Sequence, residues 1–124
     1  MEYSLPSDLS QVEATCRRIL ADINLPIDTM RAELAITEAL NNAVLHGNGA
    51  VADKLVSVKT NETPDDVTLV ISDEGRQLVQ AMLELPAVDI DAPSGRGLAL
   101  IQSLASRVRI IDGQLAITFV PFET

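Results

Sequence analysis

The sequence predicts an α+β two-layer sandwich: a mostly antiparallel sheet of about five strands with three helices on one face, built as one domain over residues 1–124. Two observations carry this. Strand-like and helix-spaced runs follow one another in the order β-α-α-β-β-loop-α-β-β. Two pairs of strands are joined by short polar or glycine turns, which makes the partners hairpin neighbours and leaves the helices to cover one face. With 124 residues, 47% of them apolar, the chain is long enough to bury a real core.

Residues 2–5 form a short edge strand closed by Pro6. From Ser7 to Ala21, the residues Leu9, Val12, Cys16, Ile19 and Leu20 recur at helical spacing, with Ser10 and Glu13 in a capping-box relation. Asn24 to Ile27, containing Pro26, is a turn. Asp28 or Thr29 caps a long second helix that runs to about His46 and stops at Gly47 and Gly49. Leu55 to Thr60 and Val67 to Ser72 are strands, with the polar turn Asn61 to Asp66 between them. Residues 76–94 hold an apolar patch from Leu78 to Leu85, then Pro86 and several acidic or proline breaks, and form a candidate mobile loop. Gly95-Arg96-Gly97 opens a third helix, Leu98 to about Ser106. Arg107 to Ile111, the turn Asp112-Gly113 and Leu115 to Phe122 make a closing hairpin.

Composition narrows the function. A net charge of −9 argues against direct nucleic-acid binding and suits a basic protein partner. Aromatics at 2% also remove the stacking platform of single-strand binders. The lone cysteine, Cys16, excludes an internal disulfide and a multi-cysteine metal site, and its place on an apolar stripe makes it a buried structural thiol. No run approaches the roughly 18 apolar residues that span a bilayer. The start, MEYSLPSDLS, lacks a basic region followed by an apolar one, so a cytoplasmic protein without membrane contact is expected.

Three stretches carry candidate chemistry. In EALNNAVLHG, two adjacent asparagines interrupt an apolar helix at a cost of about 1 kcal/mol against alanine. Glu38, Asn42 and His46 stand at i, i+4, i+8 and share a face. An amide oxygen there is a hard ligand for a Mg²⁺ carrying nucleotide phosphates, and a carboxylate one turn away can accept a proton. The same pattern also describes the wet face of an amphipathic helix. In VISDEG, Asp73 follows a buried-type strand, where a carboxylate can meet the exocyclic amine of a purine or simply end a strand. In SGRG, the glycines and a helix N-terminus offer a seat for phosphate, to which Arg96 adds charge; a flexible helix start reads the same way.

Taken in order, EALNNAVLHG, VISDEG and SGRGLALIQSLASRV resemble the asparagine box and the two glycine boxes of the GHKL (Bergerat-fold) ATPases. The short chain, with E-A-x-x-N-A-x-x-H-G and G-x-G-L-x-L-I-x-x-L, is most similar to the anti-sigma-factor serine/threonine kinases of bacterial partner switching. The resemblance covers nearly the whole chain. It implies Glu38 as general base, Asn42 as Mg²⁺ ligand, and Asp73 as the adenine contact with Gly75 beside it. It also implies Gly95, Arg96, Gly97 and Leu98 as a border to the phosphates, and residues 76–94 as an ATP lid. Asn41 matches no ligand position and is expected to make a local hydrogen bond.

Two positions depart from the pattern. The first glycine box usually reads D-x-G-x-G, and here Gln77 stands in place of its second glycine. Near the end, where a G-T pair usually contacts the adenine pocket, the chain has Gln114-Leu115. Two functions follow. One is a kinase that binds Mg-ATP, phosphorylates a small anti-sigma-factor antagonist and sequesters a sigma factor or other regulator. The other is a non-catalytic partner-switching module with weak or lost nucleotide binding. A histidine-kinase catalytic piece is set aside, since the only histidine, His46, belongs to the asparagine-box helix. The resemblance also implies a homodimer.

Overall fold

The computed structural model describes residues 1–49, 51, 53–75, 78 and 93–121, with residues 93–97 described by their backbone. Five strands form one sheet in the order β1-β2-β3-β5-β4, every neighbouring pair antiparallel. They are β1 (Glu2–Pro6), β2 (Leu55–Glu62), β3 (Val67–Ser72), β4 (Arg107–Ile111) and β5 (Gln114–Phe119). Helices α1 (Val12–Asp22), α2 (Thr29–Asn42) and α3 (Pro93–Leu104) supply the second layer. The α+β sandwich expected from the element order is the fold observed.

The core lies between the layers. Strand alternation turns Val56, Val58, Val67, Leu69, Ile71 and Ile117 inward, and all are nearly fully buried. Ala32, Ala35 and Ala39 on α2 are small enough to let that helix lie close to its neighbours, with Ile36 and Leu40 filling the space between them. Arg31 donates to the carbonyls of Ser103 (2.8 Å) and Leu104 (3.4 Å), tying the start of α2 to the end of α3. Cys16 is 1% exposed, and burial pushes its thiol pKa up, as expected of a structural thiol.

Several boundaries differ from expectation, each for a local reason. Ser10 does not cap the first helix: the Asp8 carboxylate accepts both the Ser10 N–H (3.0 Å) and its hydroxyl (2.8 Å) and so caps the turn ahead of it. The chain then makes a 3₁₀ turn, Leu9–Gln11, before α1. Asp28 caps α2, accepting from the Arg31 N–H at 3.2 Å. That helix is α-helical only to Asn42 and widens into a π turn over Ala43–Gly47, closed by Asn48 N–H to Ala43 O at 2.9 Å. Asn41 is half-buried, and its side chain makes no hydrogen bond among the described residues, contrary to its expected local bond.

The third helix starts at Pro93, so Gly95-Arg96-Gly97 lies inside its first turns rather than ahead of it; proline is at home there because its missing N–H is not needed. It ends at Leu104, because Ser106 N–H is already bonded to Thr118 O in the sheet. Strand β2 runs on to Glu62, and Thr63 Oγ1 closes the turn by accepting from the N–H groups of Asp65 and Asp66. The last strand stops at Phe119. Asp112 (φ 52°) and Gly113 (φ 79°) are both left-handed, the geometry of a two-residue hairpin turn. The expected lid falls largely outside the described residues, as does Gln77. No helix among the described residues is long and apolar enough to cross a membrane.

Tyr3, the chain's only tyrosine, is 5% exposed and donates to Asp22 Oδ2 at 2.6 Å. Burial first, then that bond and the charge of Asp22, raise its pKa to about 12, against a smaller opposing effect of Arg18. The native state thus holds the phenolic proton more tightly than the unfolded chain. The stabilisation is present below pH 10 and is lost as the pH rises toward 12. With no tryptophan to interfere, the phenolate absorbance should titrate near 12 in the native protein and near 10 in denaturant. A native midpoint at 10 would contradict the Tyr3–Asp22 bond.

Candidate functional site

One cavity sits where α2, the end of β3, α3 and β5 meet. Its polar groups are Asn42 and Asp73; Ile71, Leu98 and Leu115 wall it, and Ala39 and Ala43 form its floor. Ala43 and Asn42 arrive there because α2 turns into its π segment at this level. Asp73 arrives because β3 delivers Ile71 to the core and stops two residues later. Leu78 closes the cavity, 7% exposed, its backbone N–H held by the carbonyl of Gly113 at the β4–β5 turn (3.0 Å). The open room is about 10 Å³, space for roughly one water, so a purine could enter only if the lining moves apart.

Asn42 is 7% exposed, and its Nδ2 is buried without a hydrogen-bond partner among the described residues. An orphaned donor of this kind costs about 1–3 kcal/mol, so it marks a place where an incoming group is needed. Asp73 is half-buried, and its Oδ1 accepts the Gly75 N–H at 3.0 Å.

Two glycines let the site close up. A Cβ on Gly47 would overlap the Asp73 carboxylate, and one on Gly75 would overlap the Gly47 carbonyl oxygen. Neither has the positive φ that favours glycine elsewhere; the requirement is space. The π turn's end and the loop after β3 therefore touch backbone to backbone. Asn48, next along, is 2% exposed. Its Oδ1 accepts the Glu74 N–H (2.7 Å), and its Nδ2 donates to Ser7 Oγ (2.8 Å) and Leu55 O (3.0 Å). The Glu74 carboxylate accepts the Leu55 N–H in return.

The structure thus brings Asn42, Asp73 and Leu98 to one cavity, with Gly75 behind Asp73. Glu38 lies one turn before Asn42, half-buried, off the cavity wall and without a hydrogen bond or ion pair among the described residues. Gly95, Arg96 and Gly97 belong to the first turns of α3, whose leading N–H groups have no partner within the helix. His46 is exposed at the end of the π turn. The sequence reading passed over the roles of Gly47 and Asn48, which looked like helix punctuation in G-N-G, and did not foresee Leu78 as a wall of the cavity. Leu115 sits in the cavity with Asp73, so no hydroxyl is offered from that position.

An open antiparallel sheet, with a helix-borne asparagine and a strand-end aspartate lining one cavity, agrees with the histidine-kinase-like ATPase class that the sequence motifs resemble. Residues 4–120 match the family described as the histidine kinase-like ATPase domain, and the chain belongs to that family. It is also similar to the anti-sigma F factor of Clostridium novyi (strain NT), 26% identical over 110 residues, which cover 82% of this chain and 77% of that protein.

The two glycine contacts differ in what blocks them. At Gly75 the obstacle is backbone, so Gly75→Ala should destabilise by about 1–3 kcal/mol in urea unfolding. At Gly47 it is a side chain that can swing aside, so Gly47→Ala should cost less and displace Asp73 instead. Equal costs would mean that close backbone approach is not the constraint.

Proposed function

We propose that this protein is a serine/threonine protein kinase of the anti-sigma-factor type, which binds Mg-ATP, phosphorylates a small antagonist protein and sequesters a sigma factor or other regulator. The observation that carries the reading is the buried, unpartnered amide of Asn42 lining one cavity with Asp73. The similarity to a protein named anti-sigma F factor supports the choice of partners.

The residues present fit the ligand. Asp73 would accept from the adenine amine while Gly75 N–H holds its other face. Ile71, Leu98 and Leu115 would pack on the purine. Asn42 would hold magnesium through its amide oxygen and leave Nδ2 for a phosphate oxygen, which is the partner it lacks. The metal would supply charge against the phosphates. Gly95, Arg96 and Gly97 would border the same charge at the start of α3, where Gly95 is among the residues whose backbone N–H has no partner within the helix. Glu38, a turn from Asn42, would take the proton of the attacking hydroxyl.

A second reading, a partner-holding module of the same fold, is favoured by one feature: Leu78 and Leu115 already fill the cavity with apolar side chains. Calorimetric titration with ATP in Mg²⁺ separates the two. The kinase reading expects micromolar binding that Asn42→Ala and Asp73→Asn each weaken by about 10–100-fold, the loss of a hydrogen bond or ligand to a charged group. Glu38→Ala should leave binding intact and abolish phosphotransfer to the antagonist. Absence of heat up to millimolar nucleotide would favour the module, and unchanged transfer by Glu38→Ala would remove that residue as the base.

A further inference from the structure

The most heavily bonded buried polar side chain among the described residues lies outside the cavity. Asn48 follows the π turn, does not itself line the cavity, and is as buried as the core leucines. Its backbone N–H closes the π turn on Ala43 O, at the level where Asn42 and Ala43 enter the site. Its Oδ1 holds the N–H of Glu74, the residue between Asp73 and Gly75. Its Nδ2 reaches the other way, to Ser7 after β1 and to Leu55 at the start of β2. All three polar positions of the side chain's amide are thereby used, and each bond goes to a different segment.

We propose that Asn48 is a positioning residue for the nucleotide site: it fixes the loop 73–75 against the end of the asparagine-bearing helix and so sets where Asp73 presents its carboxylate. The inference rests on the reading of the cavity as a purine nucleotide site, but its physical core does not. Among the described residues, two restraints hold Glu74 in that loop. Glu74 N–H has a single acceptor, Asn48 Oδ1, and the second restraint on the loop, Glu74 carboxylate to Leu55 N–H, ends on the same residue whose carbonyl Asn48 also binds. The clamp lies directly beside the close approach of Gly47 and Gly75. Glutamine, one methylene longer, would not fit at a position 2% exposed, and aspartate would lose both donors.

The test compares Asn48→Ala with Ser7→Ala. The second variant removes one of Asn48's partners, and a bond to Lys54 O, but leaves Glu74 N–H bonded. Asn48→Ser, too short to span Glu74 and Leu55, replaces the alanine variant if that does not fold. Amide exchange of the full chain without nucleotide is measured first. Exchange at Glu74 and Gly75 should rise at least tenfold in the Asn48 variants while Leu69 in β3 stays protected, and should be unchanged in Ser7→Ala. The ratio of ATP to GTP affinity comes second, since Asp73 reads the base. It should fall about tenfold in the Asn48 variants alone, the effect of one misplaced hydrogen bond to a charged group. Unchanged exchange at Glu74, or an equal fall in the ratio for Ser7→Ala, overturns the proposal. If the unmodified protein binds neither nucleotide, the functional reading fails by itself, and exchange at Glu74 alone decides whether Asn48 holds the loop.

Discussion

The site depends on two stretches of bare backbone lying against each other. Gly47 ends the π turn, Gly75 lies three residues past the end of β3, and no side chain fits between them. Everything polar in the cavity is referred to this contact. Asn42 stands just over one turn before Gly47, and Asp73 sits on Gly47 itself. Moving either backbone by the radius of a methyl group would separate an amide and a carboxylate that now line one cavity. Packed interiors deform little, so such a displacement is not absorbed by neighbours. The π turn belongs to the same constraint: by adding a residue to the last turn, it brings Gly47 and Asn48 down to the sheet instead of continuing along the α2 axis.

Much of this was legible in the sequence. Alternation in β3 and helical spacing in α2 are the large-amplitude signals of a two-layer fold, and Asp112-Gly113 gave the closing turn its geometry in advance. Asn42, Asp73 and the glycine triplet stood out because rare residue types in a set order carry more information than propensity does, and the structure brings the first two to one cavity. What escaped notice was long-range. Asn48 sits in G-N-G, a pattern that local rules read as a helix stop, and only the fold shows its partners 41, 26 and 7 residues away. The capping error at Ser10 has the opposite origin: the local rule was right in kind, but Asp8, two residues earlier, competed for the same hydroxyl.

Within the site, two effects pull in different directions. Leaving Asn42 Nδ2 unpartnered is unfavourable, which favours any ligand that brings an acceptor. Burying Leu78 against Leu98 and Leu115 is favourable by about 1.5–3 kcal/mol, which opposes any ligand that must displace it. The two are of similar size. A purine that takes the place of Leu78 offers apolar surface of its own to the same walls, so its net cost is smaller than the side chain's burial suggests.

The strand order has a consequence for how the site comes into being. The last described strand, β5, is not at an edge; it slots between β3 and β4. During synthesis on the ribosome, β3 is therefore left with an unpaired side until some forty residues later, when β5 emerges and brings Leu115 up to Ile71. Pairing across such a separation is slow compared with helix formation. The wall that Leu115 contributes is then the final part of the cavity to be laid down, so a nascent chain holds Asn42 and Asp73 well before it can shelter a ligand between them. The cavity is therefore complete only once β5 has paired with β3 and closed the middle of the sheet.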